Sequence, residues 1–149
     1  MISFDYSSQA EALRAIISAP IFAGVGLAEQ HMLADKCTIM ERGADEIIIE
    51  EGEVGDCLYI IIKGSVIVSK KTPSEGYKRV NLLTDGDVFG EIAILRKRKR
   101  TARITTKTHC RFLTINANDF VHVYENFPPQ ARDNIQFIIA KRLAQLGDN

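Results

Sequence analysis

Apolar positions along the chain fall into three successive textures. Near the N-terminus Ala12, Leu13, Ile16 and Ile17 recur at helical spacing. Ser8-Gln9-Ala10-Glu11 has the capping-box form of a helix start, and Ser18-Ala19-Pro20 ends the pattern. Pro20-Ile21-Phe22 with Gly24 and Gly26 reads as a turn, and Leu27 to Lys36 as a second helix with Leu27, Met32 and Leu33 facing inward. His31 on that helix reads as a solvated surface residue rather than a ligand. From Cys37 the texture changes to short β-rich runs bounded by glycine: Ile47 to Ile49, Leu58 to Ile62, Val66 to Val68, Val80 to Leu83, Ala102 to Thr106 and Arg111 to Ile115. Runs of this length and spacing predict a sandwich or barrel.

The connections have their own chemistry. Glu51-Gly52, Lys63-Gly64-Ser65 and Asp85-Gly86-Asp87 supply residues that accept positive φ, so adjacent runs are expected to pair as antiparallel hairpins. Lys70 to Lys78, with Pro73 and Gly76, is the longest polar stretch and is expected to be an exposed loop. Nothing repeats at a fixed period, which argues against a solenoid or propeller.

After Ile115 the helical period returns. Asn116 with Asp119 can cap a helix carrying Phe120, Val121, Val123 and Tyr124, and Pro128-Pro129 suits the start of a longer one ending at Leu146-Gly147. Its Ile135, Ile138, Ile139, Leu143 and Leu146 form one apolar stripe; Phe137, Ala140 and Ala144 form a second face. A helix apolar on two sides usually covers something besides its own core. That second face can close over a ligand, or pack on the domain or on a second copy.

Composition narrows the function. The 149 residues, 46% of them hydrophobic, suit one domain with a good core. The 19 basic and 19 acidic residues cancel, so no global charge favours nucleic acid or an acidic membrane. Cys37, Cys57 and Cys110 are odd in number and widely separated, as free thiols of a reducing cytoplasm would be. No apolar run approaches the ~18 residues of a membrane span, and the first residues lack a signal-peptide pattern. The expected location is cytoplasmic.

One stretch carries candidate chemistry. Phe89-Gly90-Glu91-Ile92-Ala93-Ile94-Leu95 can open a short helix whose first N–H groups lack intrahelical partners and attract phosphate. Gly90 lets the backbone approach closely. Glu91 suits hydroxyls of the same ligand, such as a ribose 2′-OH. Arg100, ten residues beyond Gly90, can grip the phosphate from the opposite side, with Thr101 adding a hydroxyl.

These residues resemble the phosphate-binding cassette of the cyclic nucleotide-binding domains found in cyclic-AMP receptor proteins, kinase regulatory subunits and cyclic nucleotide-gated channels. The cassette runs from Phe89-Gly90-Glu91 to Arg100-Thr101-Ala102. Glu51-Gly52-Glu53-Val54-Gly55-Asp56 and Tyr59 to Val66 are similar to the family's glycine-punctuated strands. The resemblance covers roughly residues 20 to 146. It implies an α+β fold: an antiparallel, jelly-roll-like β-roll (about 37–115) holding the cassette helix, a helical N-terminus (about 1–36) and two C-terminal lid helices (about 116–147), all one domain. It further implies a ligand, cAMP or cGMP, no other cofactor, and contacts from Phe89, Gly90, Glu91, Ile92, Ala93, Arg100, Thr101 and Ala102. For the lid it points to Phe137, Arg142 and Leu143. No recognition-helix segment, kinase motif or cyclase motif is present, so the expected role is a non-catalytic sensor, either a stand-alone module acting on a separate effector protein or a domain released from or associated with a larger assembly.

Lys99 departs from the family pattern, in which many members carry a small or turn-forming residue before the phosphate arginine. The run of five cations Arg96-Lys97-Arg98-Lys99-Arg100 also admits a nucleic-acid or polyanion reading, although it lacks interleaved stacking aromatics. A metal-dependent β-barrel enzyme needs converging histidines and a carboxylate. His31, His109 and His122 have no such spacing, and Gly-x-Ser-x-Gly is absent.

Overall fold

The computed structural model describes residues 6–147. Its strands are β1 (Thr38–Arg42), β2 (Ile47–Ile49), β3 (Cys57–Lys63), β4 (Val66–Thr72), β5 (Gly76–Leu83), β6 (Val88–Phe89), β7 (Arg103–Thr106) and β8 (Cys110–Asn116). Among the described residues they form two four-stranded sheets, ordered β1-β8-β3-β6 and β2-β7-β4-β5, and every pairing is antiparallel. The fold is the expected α+β β-roll with flanking helices.

The expected hairpins are mostly absent. Gly52, Gly64 and Gly86 do adopt positive φ, yet each of these turns carries the chain from one sheet to the other. Among the described residues only β4 and β5 are consecutive strands that pair. A turn residue permits reversal, but the partner is chosen by which face must be buried.

Burial explains the strand patterns. In β3, Leu58 and Ile60 pack against the helices while Tyr59 and Ile61 face the roll interior; in β8, Leu113 and Ile115 oppose Phe112 in the same way. The first sheet is therefore covered on both faces, which is why Leu58 to Ile62 reads as a continuous apolar run. In the second sheet β7 alternates half-buried and buried positions, with Ile104 and Thr106 buried. Inside the roll Tyr59 stacks on Phe89 at 4.8 Å, and Phe112 meets both rings edge-on at 5.9 and 5.6 Å. Each such pair adds about 0.5–1.5 kcal/mol beyond its buried area.

Five α-helices among the described residues complete the fold: α1 (Tyr6–Ser18), α2 (Leu27–Lys36), α3 (Glu91–Leu95), α4 (Ala117–Tyr124) and α5 (Pro129–Gln145). Ser8 lies within α1, so the Ser8 to Glu11 motif does not start the helix. Glu11 instead accepts two hydrogen bonds from Arg111 of β8, at 2.8 and 2.7 Å, tying helix to sheet. Pro20–Phe22 forms a 3-10 turn with Ile21 and Phe22 buried. In α2 only Leu33 and Ala34 are buried; Leu27 and Met32, expected inside, are 66% and 38% exposed. A ten-residue helix wedged against α1 and α4 buries a narrow stripe, and Leu27 sits at its open end.

The loop expected over Lys70–Lys78 is instead the end of the β4–β5 hairpin, with Lys70, Lys71 and Thr72 paired to Lys78, Tyr77 and Gly76. Backbone pairing continues past the core edge whatever the side-chain polarity. Only Pro73 to Glu75 turns the chain, where the Thr72 hydroxyl accepts from the Glu75 N–H and donates to the Gly76 carbonyl. As expected, Asn116 caps α4 by accepting from the Asp119 N–H at 2.8 Å, and Pro129 occupies the first turn of α5.

Candidate ligand site at the cassette helix

Val88 and Phe89 pair with β3, and the chain then turns at Gly90, whose φ of +92° starts α3. A Cβ at Gly90 would stand 2.8 Å from Arg100 Nη1 and 3.0 Å from the Cys57 carbonyl oxygen. Glycine is thus required here both for its left-handed backbone and for the closeness of Arg100. Ile92 and Ile94 anchor α3 in the helical core, and this anchoring turns Glu91 toward a cavity.

α3 ends in a Schellman turn: the Arg98 N–H donates to the Ala93 carbonyl across Lys97, which is left-handed at φ +51°. The chain then returns as Arg100, whose N–H donates to the Glu53 carbonyl at 2.7 Å and whose carbonyl accepts from Gly52 at 2.9 Å. The Glu51 to Glu53 segment therefore fixes the backbone of the arginine, with Lys99 in place of a turn-forming residue. The Arg100 side chain, 5% exposed, donates to the Gly90 and Cys57 carbonyls at 2.9 and 2.7 Å. Asp56 lies 3.8 Å away. Burial raises the pKa of the Cys57 thiol above its ordinary 9.0, which keeps it protonated at neutral pH.

These elements enclose one side of a cavity of about 580 Å³, counting its open mouth. Phe89, Gly90, Glu91, Ile92, Ala93, Arg100, Thr101 and Ala102 all line it. The opposite side is apolar, made by Ile49, Val68, Val80, Leu83, Ile104 and Leu146, with two amides, Asn81 and Gln145, at its rim. Those amides lie at hydrogen-bond distance, 3.5 Å.

Of the three C-terminal helix residues expected at the ligand, only Arg142 reaches the cavity. Its guanidinium donates to the Glu91 carboxylate and to the Val88 carbonyl. Leu143 points into the helical core at 6% exposure, and Phe137 is 69% exposed on the outer face with Ala140 and Ala144. Among the described residues nothing buries the second apolar face of α5. Sequence reasoning missed the wall residues Ile49, Val68, Val80, Asn81, Leu83 and Ile104, and also Gln145 and Leu146, which lie about one turn beyond Arg142. Leu146 extended the buried stripe and could have been found from it; Gln145 and Asn81 carry no local signal.

Among the described residues no group of three or more His, Cys, Asp or Glu could hold a metal ion, and no helix is long and apolar enough to cross a membrane.

Residues 40–127, more than half of the chain, match the family model described as "Cyclic nucleotide-binding domain". The cAMP-dependent protein kinase regulatory subunit of Yarrowia lipolytica is 34% identical over 117 residues, 73% of this chain and 30% of that protein. The human potassium/sodium hyperpolarization-activated cyclic nucleotide-gated channel 1 is 35% identical over 102 residues, 68% of this chain and 11% of the channel. The chain thus spans under a third of either relative. The solved structure "Sp-2Cl-cAMPS bound to PKAR CBD2" superposes with a TM-score of 0.77 at 26% identity, covering 96% of this chain and 94% of that one. With the cassette, the β-roll and the family match in agreement, the chain belongs to the cyclic nucleotide-binding domain family.

Proposed function

We propose that this chain reversibly binds a cyclic purine nucleotide, cAMP or cGMP, in the cavity between α3, Arg100 and α5, with no further cofactor. The observation that carries the reading is that Glu91 and Arg100, brought together from separate positions, line one cavity with an apolar opposite wall. A cyclic phosphodiester bears one negative charge, which a single guanidinium and the first turn of α3 match. Arg100 has five N–H donors, so its two carbonyl bonds leave others for phosphate oxygens. Glu91 accepts a ribose hydroxyl, and the apolar wall takes the base. Two or three charge-assisted hydrogen bonds of about 1.5–3 kcal/mol each support micromolar affinity.

Arg142 links α5 to Glu91, so a ligand on that carboxylate shifts the equilibrium position of the helix. In this reading the chain is one cytoplasmic, non-catalytic regulatory domain that reports occupancy to a separate effector protein through α5. The test is calorimetry with cAMP and cGMP on the parent and Arg100→Glu proteins. We expect one nucleotide per chain and at least about tenfold weaker binding in the variant. No heat and no thermal shift with either nucleotide, or normal binding by Arg100→Glu, overturns the reading.

A further inference from the structure

The run Arg96 to Lys99 has no part in the nucleotide reading, and all four residues are exposed. The structure lays Lys97, Arg98 and Lys99 along a second groove, of about 1030 Å³ counting the solvent above it. Its other side is apolar: Val54, 79% exposed at the rim, with Ile94 and Val121 below. Among the described residues that line it, none is acidic and none is aromatic. The cations are placed by a backbone that a lysine adopts reluctantly, since Lys97 sits in the left-handed position that glycine usually fills after a helix.

We propose that this groove docks an acidic segment of a partner protein that carries an apolar side chain. Its carboxylates pair with Lys97 and Lys99, and its apolar side chain covers Val54 and Val121. Charge alone also suits a nucleic acid. Yet single strands are held by stacking on aromatic planes, which the groove lacks, whereas an exposed valine beside cations suits a peptide.

The groove is separated from the first cavity by a thin wall. Ala93 lines both, and Gly55 packs so closely that a Cβ there would stand 2.6 Å from the Ala93 Cβ and 3.3 Å from the Arg100 guanidinium carbon. Any coupling carried through this shared wall is reciprocal, peptide and cyclic nucleotide changing one another's affinity by the same factor. This coupling rests on the proposed function; the docking itself does not.

The probe is a short fluorescent peptide of glutamates around a central leucine, compared with an all-glutamate peptide and an oligo-dT of equal charge. Binding is followed by anisotropy, and amide chemical shifts map the contact on the full chain. We expect the leucine peptide to bind in the range of about 10–100 µM, shifting amides of residues 54, 93, 97–99 and 121. Val54→Ser and Lys99→Glu each weaken it several-fold. Lys97→Gly weakens it while keeping or raising the melting temperature, because glycine relieves the backbone. Tighter, steeply salt-dependent binding of oligo-dT overturns the proposal, as does equal affinity for Val54→Ser and parent, or no binding at about 1 mM peptide. A protein that takes the peptide but no cyclic nucleotide removes only the coupling; one that binds nucleotide and not peptide removes the docking.

Discussion

Glu91 and Arg142, 51 residues apart in sequence, form an ion pair across the cavity that joins the cassette helix to α5. The Glu91 side chain is 2% exposed and that of Arg142 20%, so the pair lies in the costly regime where removing one partner strands the other. Arg142→Ala is expected to cost about 2–3 kcal/mol in denaturant unfolding and to speed amide exchange along α5. The double variant Glu91→Gln with Arg142→Met should cost clearly less than the sum of the single changes. Strict additivity would show that the two side chains do not interact.

Thr101 lines the cavity immediately after Arg100; in the proposed reading its hydroxyl reaches the phosphate and also a guanine held in the syn orientation. Both cyclic nucleotides are expected to bind, with cAMP at least as tight as cGMP. Thr101→Ala should weaken cGMP more than cAMP in competition titrations, because a site that bonds a polar base edge loses much when its own group is removed. An equal loss for both ligands would confine Thr101 to the shared phosphate.

The Glu11–Arg111 clamp makes one part of the stability depend on acid. Hydrogen bonds from Arg111 hold the Glu11 carboxyl below its ordinary 4.5, against an opposing effect of burial. A carboxyl whose folded pKa is depressed contributes stability above its unfolded value and loses it as pH falls through the folded one. Glu11→Gln should therefore cost about 0.5–1 kcal/mol at neutral pH, and the gap between variant and parent should narrow below pH 4.5. A pH-independent gap in urea midpoints would count against the clamp.

Two residues of α5 that look alike on paper should behave differently. Phe137→Ser, on the exposed face, is expected to change stability by no more than about 0.5 kcal/mol and to leave nucleotide affinity intact. Leu143→Ala opens a hole in the helical core and should cost about 2–4 kcal/mol. Thermal unfolding of both variants, with a cAMP titration of the first, checks this.

What could be read from the sequence was what local chemistry encodes. The cassette was visible because glycine, a carboxylate and an arginine at fixed spacing serve one geometry, and α4 because Asn116 and Asp119 cap it within four residues. β1 was not visible: Thr38 to Arg42 forms an edge strand with no buried residue, so no alternation marks it. The polar end of β4 was hidden for the same reason. Leu27, Met32 and Phe137 show the opposite failure, since apolar spacing on a helix says which residues share a face but not whether anything covers it. The Glu91–Arg142 and Asn81–Gln145 contacts join positions with no shared local pattern, and only the folded chain brings them together.

The sheet order also sets a timetable for folding during synthesis. β1 pairs only with β8, with Thr38 opposite Thr114, 76 residues later, and β2 pairs only with β7. A growing chain that has left the ribosome as far as Leu95 can form the β4–β5 hairpin and the short β3–β6 pairing, but β1 and β2 still lack every strand they will bond. Both sheets wait for residues 103–116. Such distant pairing is expected to slow folding relative to a helical bundle of the same size, and it leaves the apolar run of β3 uncovered in the meantime.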